Sequence, residues 1–479
     1  MNRIEAKMAR IWTRVGSHLL PFADAASVGL PWSRLLRLSL FQISCGMTAV
    51  LLIGTLNRVM IVELNVAAGL VATMLALPLV FAPLRALIGF KSDTYRSLLG
   101  WRRVPYIWLG TIVQFGGLAM MPFALIVLSG DTWAPPWVAQ LSAAIAFLMV
   151  GAGMHAVQTV GLALATDLAP RESQPNVVAV LSLMLLVGMA VAAVMFGLFL
   201  ANFSQLRLIQ VIQGCAGMTL ILNFIAMWKQ EARDPSRTQG VQAGAPGFLE
   251  SVRMLRAGGS WDRALLAAGL GTAGFAMQDV LLEPYGGQIL GLGVGATTGL
   301  TALLAGGSAV GFIAGARWLS AGADAHRLAA YGALTGLMAF ALVILSGLIE
   351  SIPVFALGSL CIGLGGGLFA HATLTACMRL APQQQIGLAL GVWGAVQATA
   401  AGLAIATGGI VRDVVSALAV QGALGEAMSG PATGYVVVYA AEIALLFVTL
   451  AVVGPLVRGT GVAHSRPQPG SGVAGSAHV

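Results

Sequence analysis

Two stretches of the sequence, residues 151–170 (GAGMHAVQTVGLALATDLAP) and 363–382 (GLGGGLFAHATLTACMRLAP), align without a gap at an offset of 212 residues. Both begin with two glycines one residue apart, and both end on Leu-Ala-Pro after a charged residue. A second match, at an offset of 231 residues, relates Phe81, Asp93 and Arg96 to Phe312, Asp324 and Arg327. Matches that recur in the same order indicate that the chain consists of two similar halves.

The amino-acid composition indicates whether these halves lie in water or in a membrane. The 479 residues are 58% hydrophobic and only 9% charged, whereas about 25% of the residues of a soluble domain are charged. A soluble protein is therefore excluded. Apolar runs of about 20 residues, the length that crosses a bilayer, number about twelve; they begin near Leu38, Ala67, Val104, Val138, Val177, Leu208, Ala264, Ala296, Leu328, Val354, Gly387 and Tyr435. The sequence predicts an all-α integral membrane protein.

The basic residues predict its orientation. When the connections between runs are assigned alternately to the two sides, 23 of the 26 Lys and Arg residues fall on the side of both termini. Only Arg58, Arg207 and Arg412 fall on the other side. Because basic residues accumulate in cytoplasmic loops, we expect both termini in the cytoplasm.

These runs divide the chain into five segments. Residues 1–37 form a basic segment, either a helix on the membrane surface or a disordered tail. A six-helix bundle at 38–228 and another at 264–457 flank a polar cytoplasmic linker at 229–263, and residues 458–479 form a disordered cytoplasmic tail. The four cysteines lie in apolar stretches without metal-ligand spacing and are predicted to be packing residues.

Parallel six-helix halves are the plan of the major facilitator superfamily, whose substrate site lies between the halves. The loop from Gly89 to Arg103 resembles the signature loop of that superfamily. The resemblance implies a latch that breaks when the halves rock, formed by Asp93, Arg96, Arg102 and Arg103. The alternative is a set of charges that only anchors a cytoplasmic loop.

Several longer motifs narrow the resemblance further than the signature loop does. They read GTLNRVMIVEL at 54–64, FAPLRALIG at 81–89, GWRRVPYIW at 100–108 and QDVLLEPYGG at 278–287, together with Gln158-Thr159 and Asp167 to Pro170. These motifs lie in both halves and resemble the bacteriochlorophyll delivery family, the PucC- and LhaA-type assembly factors of purple phototrophs.

The resemblance implies a function and a location. It implies a factor that binds bacteriochlorophyll as cargo and delivers it to the α and β polypeptides of a light-harvesting antenna, with complex 1 favoured over complex 2. The implied membrane is the bacterial cytoplasmic membrane with its photosynthetic intracytoplasmic extensions. Other implied partners are the reaction centre–antenna assembly, bacteriochlorophyll synthase, the insertion machinery and membrane lipid, but no nucleic acid.

If bacteriochlorophyll is the cargo, its magnesium takes an axial ligand such as a neutral imidazole. His155 and His371 lie well inside predicted spans, one helical turn apart on equivalent helices of the two halves. His155 is the predicted axial ligand, and Gln158 and Thr159 share a helix face with it and complete a polar patch. Each histidine has an alternative role as a neutral side chain that bonds a neighbouring helix. Asn57 and Gln278 are further candidates for contact with pigment; no free metal site is predicted.

The seventh run carries two carboxylates, Asp279 and Glu283, four residues apart and therefore on one helix face. One must hold a proton, or both must be paired with a cation. Arg58 is a candidate partner, and Glu63 competes for it. With Pro284 as a helix interruption and Tyr285 beside it, the cluster is either a gate or contact with an antenna polypeptide, or an ion pair that clamps the first and seventh helices together.

Two other functions remain open. A proton-coupled transporter of small solutes would use Asp279, Glu283 or Glu442 as its titrating group. An assembly chaperone would bind antenna polypeptides without holding pigment. The sequence shows no metal-ligand cluster, nucleophile elbow or phosphate loop, so an enzyme is not predicted.

Overall fold

The computed structural model describes residues 30–80, 88, 92, 101–129, 135–170, 173–231, 260–380 and 386–463, and these residues form helices and no strand. The first half contributes α1 (Trp32–Glu63), α2 (Ala68–Val80), α3 (Val104–Leu128), α4 (Pro136–Leu168), α5 (Gln174–Phe199) and α6 (Gln205–Met227). The second contributes α7 (Trp261–Gln288), α8 (Val294–Ser320), α9 (Ala325–Leu348), α10 (Ile352–Leu380), α11 (Ile386–Val420) and α12 (Thr433–Ala463). A short 3₁₀ turn, Glu426–Met428, precedes α12.

Eleven of these described helices are long and apolar enough to cross a membrane, and α2 is a shorter apolar helix. The all-α multi-pass prediction is therefore confirmed. Three boundaries differ from the predicted ones. Helix α7 begins at Trp261, inside the predicted linker 229–263. The first span begins at Trp32 because Leu35 and Leu38 are buried in the apolar core of the first half, and the last helix continues to Ala463.

Several predicted features lie outside the described residues. They are the basic segment up to residue 29, the linker residues 232–259, the tail beyond residue 463, and the signature-loop residues Asp93 and Arg96.

The glycines of the tenth run hold neighbouring helices together. A β-carbon on Gly363 would lie 2.0 Å from the carbonyl oxygen of Leu304, and one on Gly367 would lie 2.2 Å from that of Ser308. Both distances are far below van der Waals contact, so α8 and α10 touch backbone to backbone. Gly365 makes a similar approach to Gly332 of α9. Small residues at helix crossings are the usual means of packing helices in lipid.

The two halves meet mainly along the pairs α2–α11 and α5–α8. Their closest polar contacts lie near the end of α1 that carries Arg58. There, the amide of Gly69 donates a 2.6 Å hydrogen bond to Oδ2 of Asp413, and the hydroxyls of Thr55 and Thr298 lie 3.4 Å apart. We call this the Arg58 end, and the opposite end, where α4 finishes, the Asp167 end.

The first helix of each half departs from α-helical geometry toward the Arg58 end. In α1, residues Val50–Leu56 and Val59–Glu63 are π-helical. In α7, residues Met277–Val280 form a 3₁₀ turn. Pro284 lies one turn after that break, within the short helix Leu282–Gln288; a proline lacks an N–H and its ring clashes with the carbonyl four residues earlier, at Val280. The interruption thus precedes Pro284, and irregular turns of this kind often mark functional positions.

Candidate functional site

Glu283 lies where α7 crosses α1 and α8. Its side chain is buried, and Oε1 accepts a hydrogen bond from the hydroxyl of Thr301. Its carboxylate lies against Gly54, where a β-carbon would come within 2.5 Å of Oε1. The second oxygen, Oε2, is buried with no hydrogen-bond partner among the described residues. Gly54 therefore provides the space in which this carboxyl group is enclosed between the halves.

Arg58 forms its ion pair with Glu63, with 2.5 Å between Nη1 and Oε1. Its Nη2 donates to the carbonyl oxygen of Leu292, across the boundary between the halves. No ion pair joins Arg58 to Glu283 in the described part of the chain. The predicted Arg58–Glu283 pair is therefore wrong, and the competing pair, Arg58–Glu63, is the one that forms. The π-helical turn brings residue 63 back toward residue 58, and the arginine side chain is only 5% exposed.

Asp279 and its neighbours form a separate polar group. Oδ1 of Asp279 accepts from the side-chain amide of Gln278, and Nδ2 of Asn57 lies 3.5 Å from the carbonyl oxygen of Asp279. The same Nδ2 donates to the carbonyl oxygen of Ile53 at 2.8 Å. Asn57 thus connects the irregular turns of α1 and α7 at their crossing, whereas the side chain of Gln278 bonds within α7.

Glu442 of α12 belongs to this cluster and was considered only for the transporter alternative. It is fully buried, and Oε1 accepts a 2.7 Å hydrogen bond from the backbone N–H of Gln278. That N–H is available because the 3₁₀ turn interrupts the helical ladder. The second oxygen, Oε2, has no partner among the described residues. In the sequence, the feature that indicates a functional role for Glu442 is a single carboxylate in an otherwise apolar span.

Tyr285 lies inside the second half. Its ring packs on Phe355, Tyr435 and Tyr439, with centroid distances of 5.4–5.6 Å. The hydroxyl lies 3.4 Å from the carbonyl oxygen of Val343. The side chain is fully buried, so it joins helices of the second half and does not face an opening between the halves.

His155 is buried on α4, and its backbone carbonyl accepts a 2.7 Å hydrogen bond from the hydroxyl of Thr159. Gln158 is half-buried and extends toward α1, where its Nε2 lies 3.5 Å from Oε1 of Gln42. The predicted polar patch is therefore a contact between α4 and α1, with the Thr159 hydroxyl bonded to its own helix.

His371 lies on α10 at its crossing with α8. Its ring centroid is 4.1 Å from that of Phe312, and the side chain is half-buried. Nδ1 is buried with no hydrogen-bond partner in the described ranges. Phe312 belongs to an apolar cluster formed largely by the first half. His371 therefore lies close to the boundary between the halves, with an imidazole that packs at a tilt against an aromatic ring.

The arginines of the signature loop bond to two acids that the sequence analysis did not select for this role. Arg102 and Arg103 pair with Oδ2 of Asp167, at 2.8 and 3.0 Å, and Arg103 also donates to the hydroxyl of Ser92. Glu231 accepts from the backbone N–H groups of residues 102–104. A carboxylate at a helix N-terminus satisfies otherwise unpaired donors, so this cluster joins the start of α3 to the ends of α4 and α6.

Comparison with known proteins identifies the family. The family model described as PUCC protein matches residues 55–461. The protein PucC of Rhodovulum sulfidophilum is 58% identical over 87% of this chain and 92% of its own length. A Rhodobacter capsulatus protein, described as an uncharacterized protein in the puhA-bchM intergenic region, is 54% identical over 98% of this chain and 97% of its own.

Among solved structures, a bacterial homologue of the human lysosomal transporter Spinster, inward-facing and unoccupied, superposes with a TM-score of 0.64. It covers 91% of this chain and 98% of its own length at 16% identity, which is evidence for the fold alone. Together with the matching relatives, this fold indicates a multi-pass membrane protein that is not an enzyme. The chain therefore belongs to the PucC family and has the major facilitator superfamily fold.

Proposed function

We propose that this protein is an assembly factor for bacterial light-harvesting antenna, which binds bacteriochlorophyll inside the membrane and delivers it to antenna polypeptides. Family membership over residues 55–461 supports the assembly role. The client that we favour is complex 1, and the partners are the α and β polypeptides, with the reaction centre–antenna assembly, bacteriochlorophyll synthase and the insertion machinery as further partners.

The observation that carries the pigment proposal is the imidazole of His371. A neutral imidazole is a suitable axial ligand for the magnesium of a chlorin. Nδ1 of His371 has no hydrogen-bond partner in the described residues, and the contact with Phe312 holds the ring in place. A buried polar atom without a partner has a free-energy cost, which a ligand would remove. His371 is thus a candidate axial ligand, beside His155.

A second contact with pigment is proposed on α4 and α1. The side-chain amides of Gln158 and Gln42 face each other at 3.5 Å, beside the buried His155. Amide groups can donate to carbonyl substituents of a macrocycle. Because α4 and α10 are equivalent helices, such contacts would hold one ligand from both halves.

For location, we propose the bacterial cytoplasmic membrane and its photosynthetic extensions, with both termini in the cytoplasm. The distribution of basic residues, 23 of 26 on the side of the termini, supports this orientation. The Asp167 end then faces the cytoplasm, and the contacts at the Arg58 end close the space between the halves on the opposite side.

The test is the absorption spectrum of protein purified in mild detergent from a pigment-making host. We expect a stoichiometric bacteriochlorophyll band that weakens in His371→Leu and in His155→Leu. Thr375→Val, on the same helix as His371, is the matched control. A band of unchanged intensity and position in both histidine variants would exclude them as ligands. A reproducibly colourless parent protein would contradict pigment binding and favour the chaperone.

A second candidate function is proton-coupled transport of a small solute. Two buried carboxyl groups, those of Glu283 and Glu442, each have one oxygen without a partner in the described ranges. The transporter fold is compatible with such coupling. This function requires proton uptake into proteoliposomes that depends on an added solute and is lost in Glu442→Gln. Proton uptake that is the same with and without the solute would exclude it.

A further inference from the structure

An apolar groove opens between α5 and α6, on the outer surface of the first half. Its volume is about 830 Å³, which lies within the range of small-molecule sites. Its floor is Ile43 and Met47 of α1, and its walls include Gly188, Ala192, Gly214 and Met218. The equivalent helices of the second half, α11 and α12, pack against each other, whereas α5 and α6 scarcely touch. The groove is therefore specific to the first half.

The groove is long and narrow. Its lining on α6 extends from Arg207 to Leu222, which corresponds to about 22 Å along a helix axis. One leaflet of the hydrocarbon core is about 15 Å thick. The groove can therefore hold a single extended hydrocarbon chain over the full depth of a leaflet.

A cation lies at one end of this apolar length. Arg207 lines the groove at the Arg58 end, where α5 finishes and α6 begins, and Gln210 follows it one turn later. Arg207 donates to the carbonyl oxygen of Asn202 at 2.9 Å, and its side chain is exposed.

Three arginines of the described ranges lie at the Arg58 end, and two of them are paired with carboxylates. Arg58 bonds Glu63 at 2.5 Å, and Arg412 bonds Asp413 at 2.9 Å. Arg207 has no ion pair with any described carboxylate. A guanidinium at the membrane interface favours an anionic partner, because its planar fork of donors can bond two oxygens of a phosphate or carboxylate. Its charge is thus available to a ligand in the groove.

We propose that this groove binds one anionic phospholipid of the surrounding bilayer, with an acyl chain between α5 and α6 and its phosphate on Arg207. Charge complementarity supports an anionic amphiphile over a neutral one. A transmembrane helix is a poorer fit, because a helix 10 Å across and 22 Å long occupies about 1,700 Å³, roughly twice the groove volume. The groove shares helix α1 with the proposed pigment contacts on α1, α4 and α10, but none of the residues that line it.

The lipid also has a structural role. The groove leaves α5 and α6 with little direct contact beside α1, so a bound acyl chain supplies packing that the protein itself lacks there. Since α5 also packs on α8 of the second half, the lipid would support a helix at the boundary between the halves.

The experiment is native mass spectrometry of the delipidated full chain with 1-palmitoyl-2-oleoyl phosphatidylglycerol or the phosphatidylcholine of the same chains. We expect phosphatidylglycerol to be retained about fivefold more, the ratio that one basic residue near an anionic headgroup provides. Arg207→Gln removes this preference, whereas Arg207→Lys keeps most of it. Equal retention of the two lipids by the unchanged chain would overturn the proposal.

Two glycines of α6 give a matched pair for the apolar part of the groove. A β-carbon on Gly214 or on Gly217 would meet no atom within 4 Å, but only Gly214 lines the groove. Gly214→Leu should abolish the retained phosphatidylglycerol, and Gly217→Leu should not, with unchanged apparent melting temperatures in both. Retention that survives Gly214→Leu contradicts the site. Loss of copurified pigment in Gly214→Leu, with phosphatidylglycerol unaffected, would assign the groove to a pigment tail instead.

Discussion

The carboxylate of Glu283 rests directly on the backbone of Gly54, where a single added methyl group would approach Oε1 to 2.5 Å. The two residues come from opposite halves and are 229 positions apart in the sequence. Thr301 fixes the same oxygen by a hydrogen bond. The absence of a side chain at residue 54 therefore decides how closely α1 and α7 can approach.

Gly54→Ala should force the Glu283 carboxylate or helix α7 to move. We expect a loss of about 1–3 kcal/mol in unfolding free energy, the usual cost of overpacking, measured as a lower thermal stability in detergent. Gly299→Ala on α8 is the control, because a β-carbon there meets no atom within 4 Å. Equal melting temperatures for the Gly54 variant and the parent would contradict the close approach.

Reversing charges should identify the partner of Arg58. Arg58→Glu leaves two acids together and removes the bond to Leu292, so we expect a loss of about 1.5–3 kcal/mol, as for a hydrogen bond to a charged group. Adding Glu63→Arg should restore part of this stability, whereas adding Glu283→Arg should not. The measurement is thermal unfolding of the single variant and of the two double variants. Rescue by Glu283→Arg alone would refute the assignment.

The glycines of α10 provide an internal comparison. Gly363→Ala should separate α8 from α10, because its β-carbon would lie 2.0 Å from a backbone oxygen that cannot rotate away. Gly366→Ala, three residues later, places its β-carbon 3.6 Å from Phe275, which is ordinary contact. We expect a loss of about 1–3 kcal/mol for the first variant and none for the second, by the same unfolding measurement. Comparable losses in both variants would argue against backbone contact at Gly363.

The acids at the Asp167 end should hold three helix ends in place. Asp167→Asn weakens two charged hydrogen bonds to Arg102 and Arg103. Because the Asp167 side chain is 34% exposed, the effect on global stability should be below about 1 kcal/mol. Local opening of these helix ends should increase more clearly than global stability falls. Faster amide hydrogen exchange at residues 102–106 would demonstrate it, with Glu350→Gln at the Arg58 end as control.

Glu231→Gln makes a separate prediction about the same helix ends. It removes the charge that caps α3, and a helix-terminus charge contributes about 0.3–1 kcal/mol. We therefore expect faster exchange at the amides of residues 102–104, the donors to Glu231, with the Asp167 pairs intact. Unchanged exchange at these amides would show that water replaces the carboxylate as the hydrogen-bond acceptor with no loss of stability at this helix end.

Much of the architecture could be predicted from local properties of the chain. Residues 104–128 cross the membrane because a long apolar run must satisfy its backbone groups internally in lipid, and a helix does so. The ungapped match between residues 151–170 and 363–382 predicted two similar halves, and the comparison with solved structures confirmed the fold. Neither inference needed a long-range contact.

The candidate sites depended on contacts that local patterns do not encode. Spacing placed Asp279 and Glu283 on one helix face, but the 3₁₀ turn at 277–280 gives them different partners. Glu231 was not selected because its partners, the amides of residues 102–104, are far from it in sequence.

By itself, the sequence determined that this protein is a helical membrane protein with an internal repeat, because hydropathy and repeat spacing are properties of contiguous residues. Only the tertiary structure decided that Arg58 pairs with Glu63, that Gly54 accommodates Glu283, and that α5 and α6 leave a groove where α11 and α12 pack. The physical reason is that helices in lipid associate through close steric fit between small residues and a few polar bonds. Such a fit is defined by pairs of surfaces, which exist only once the helices have assembled.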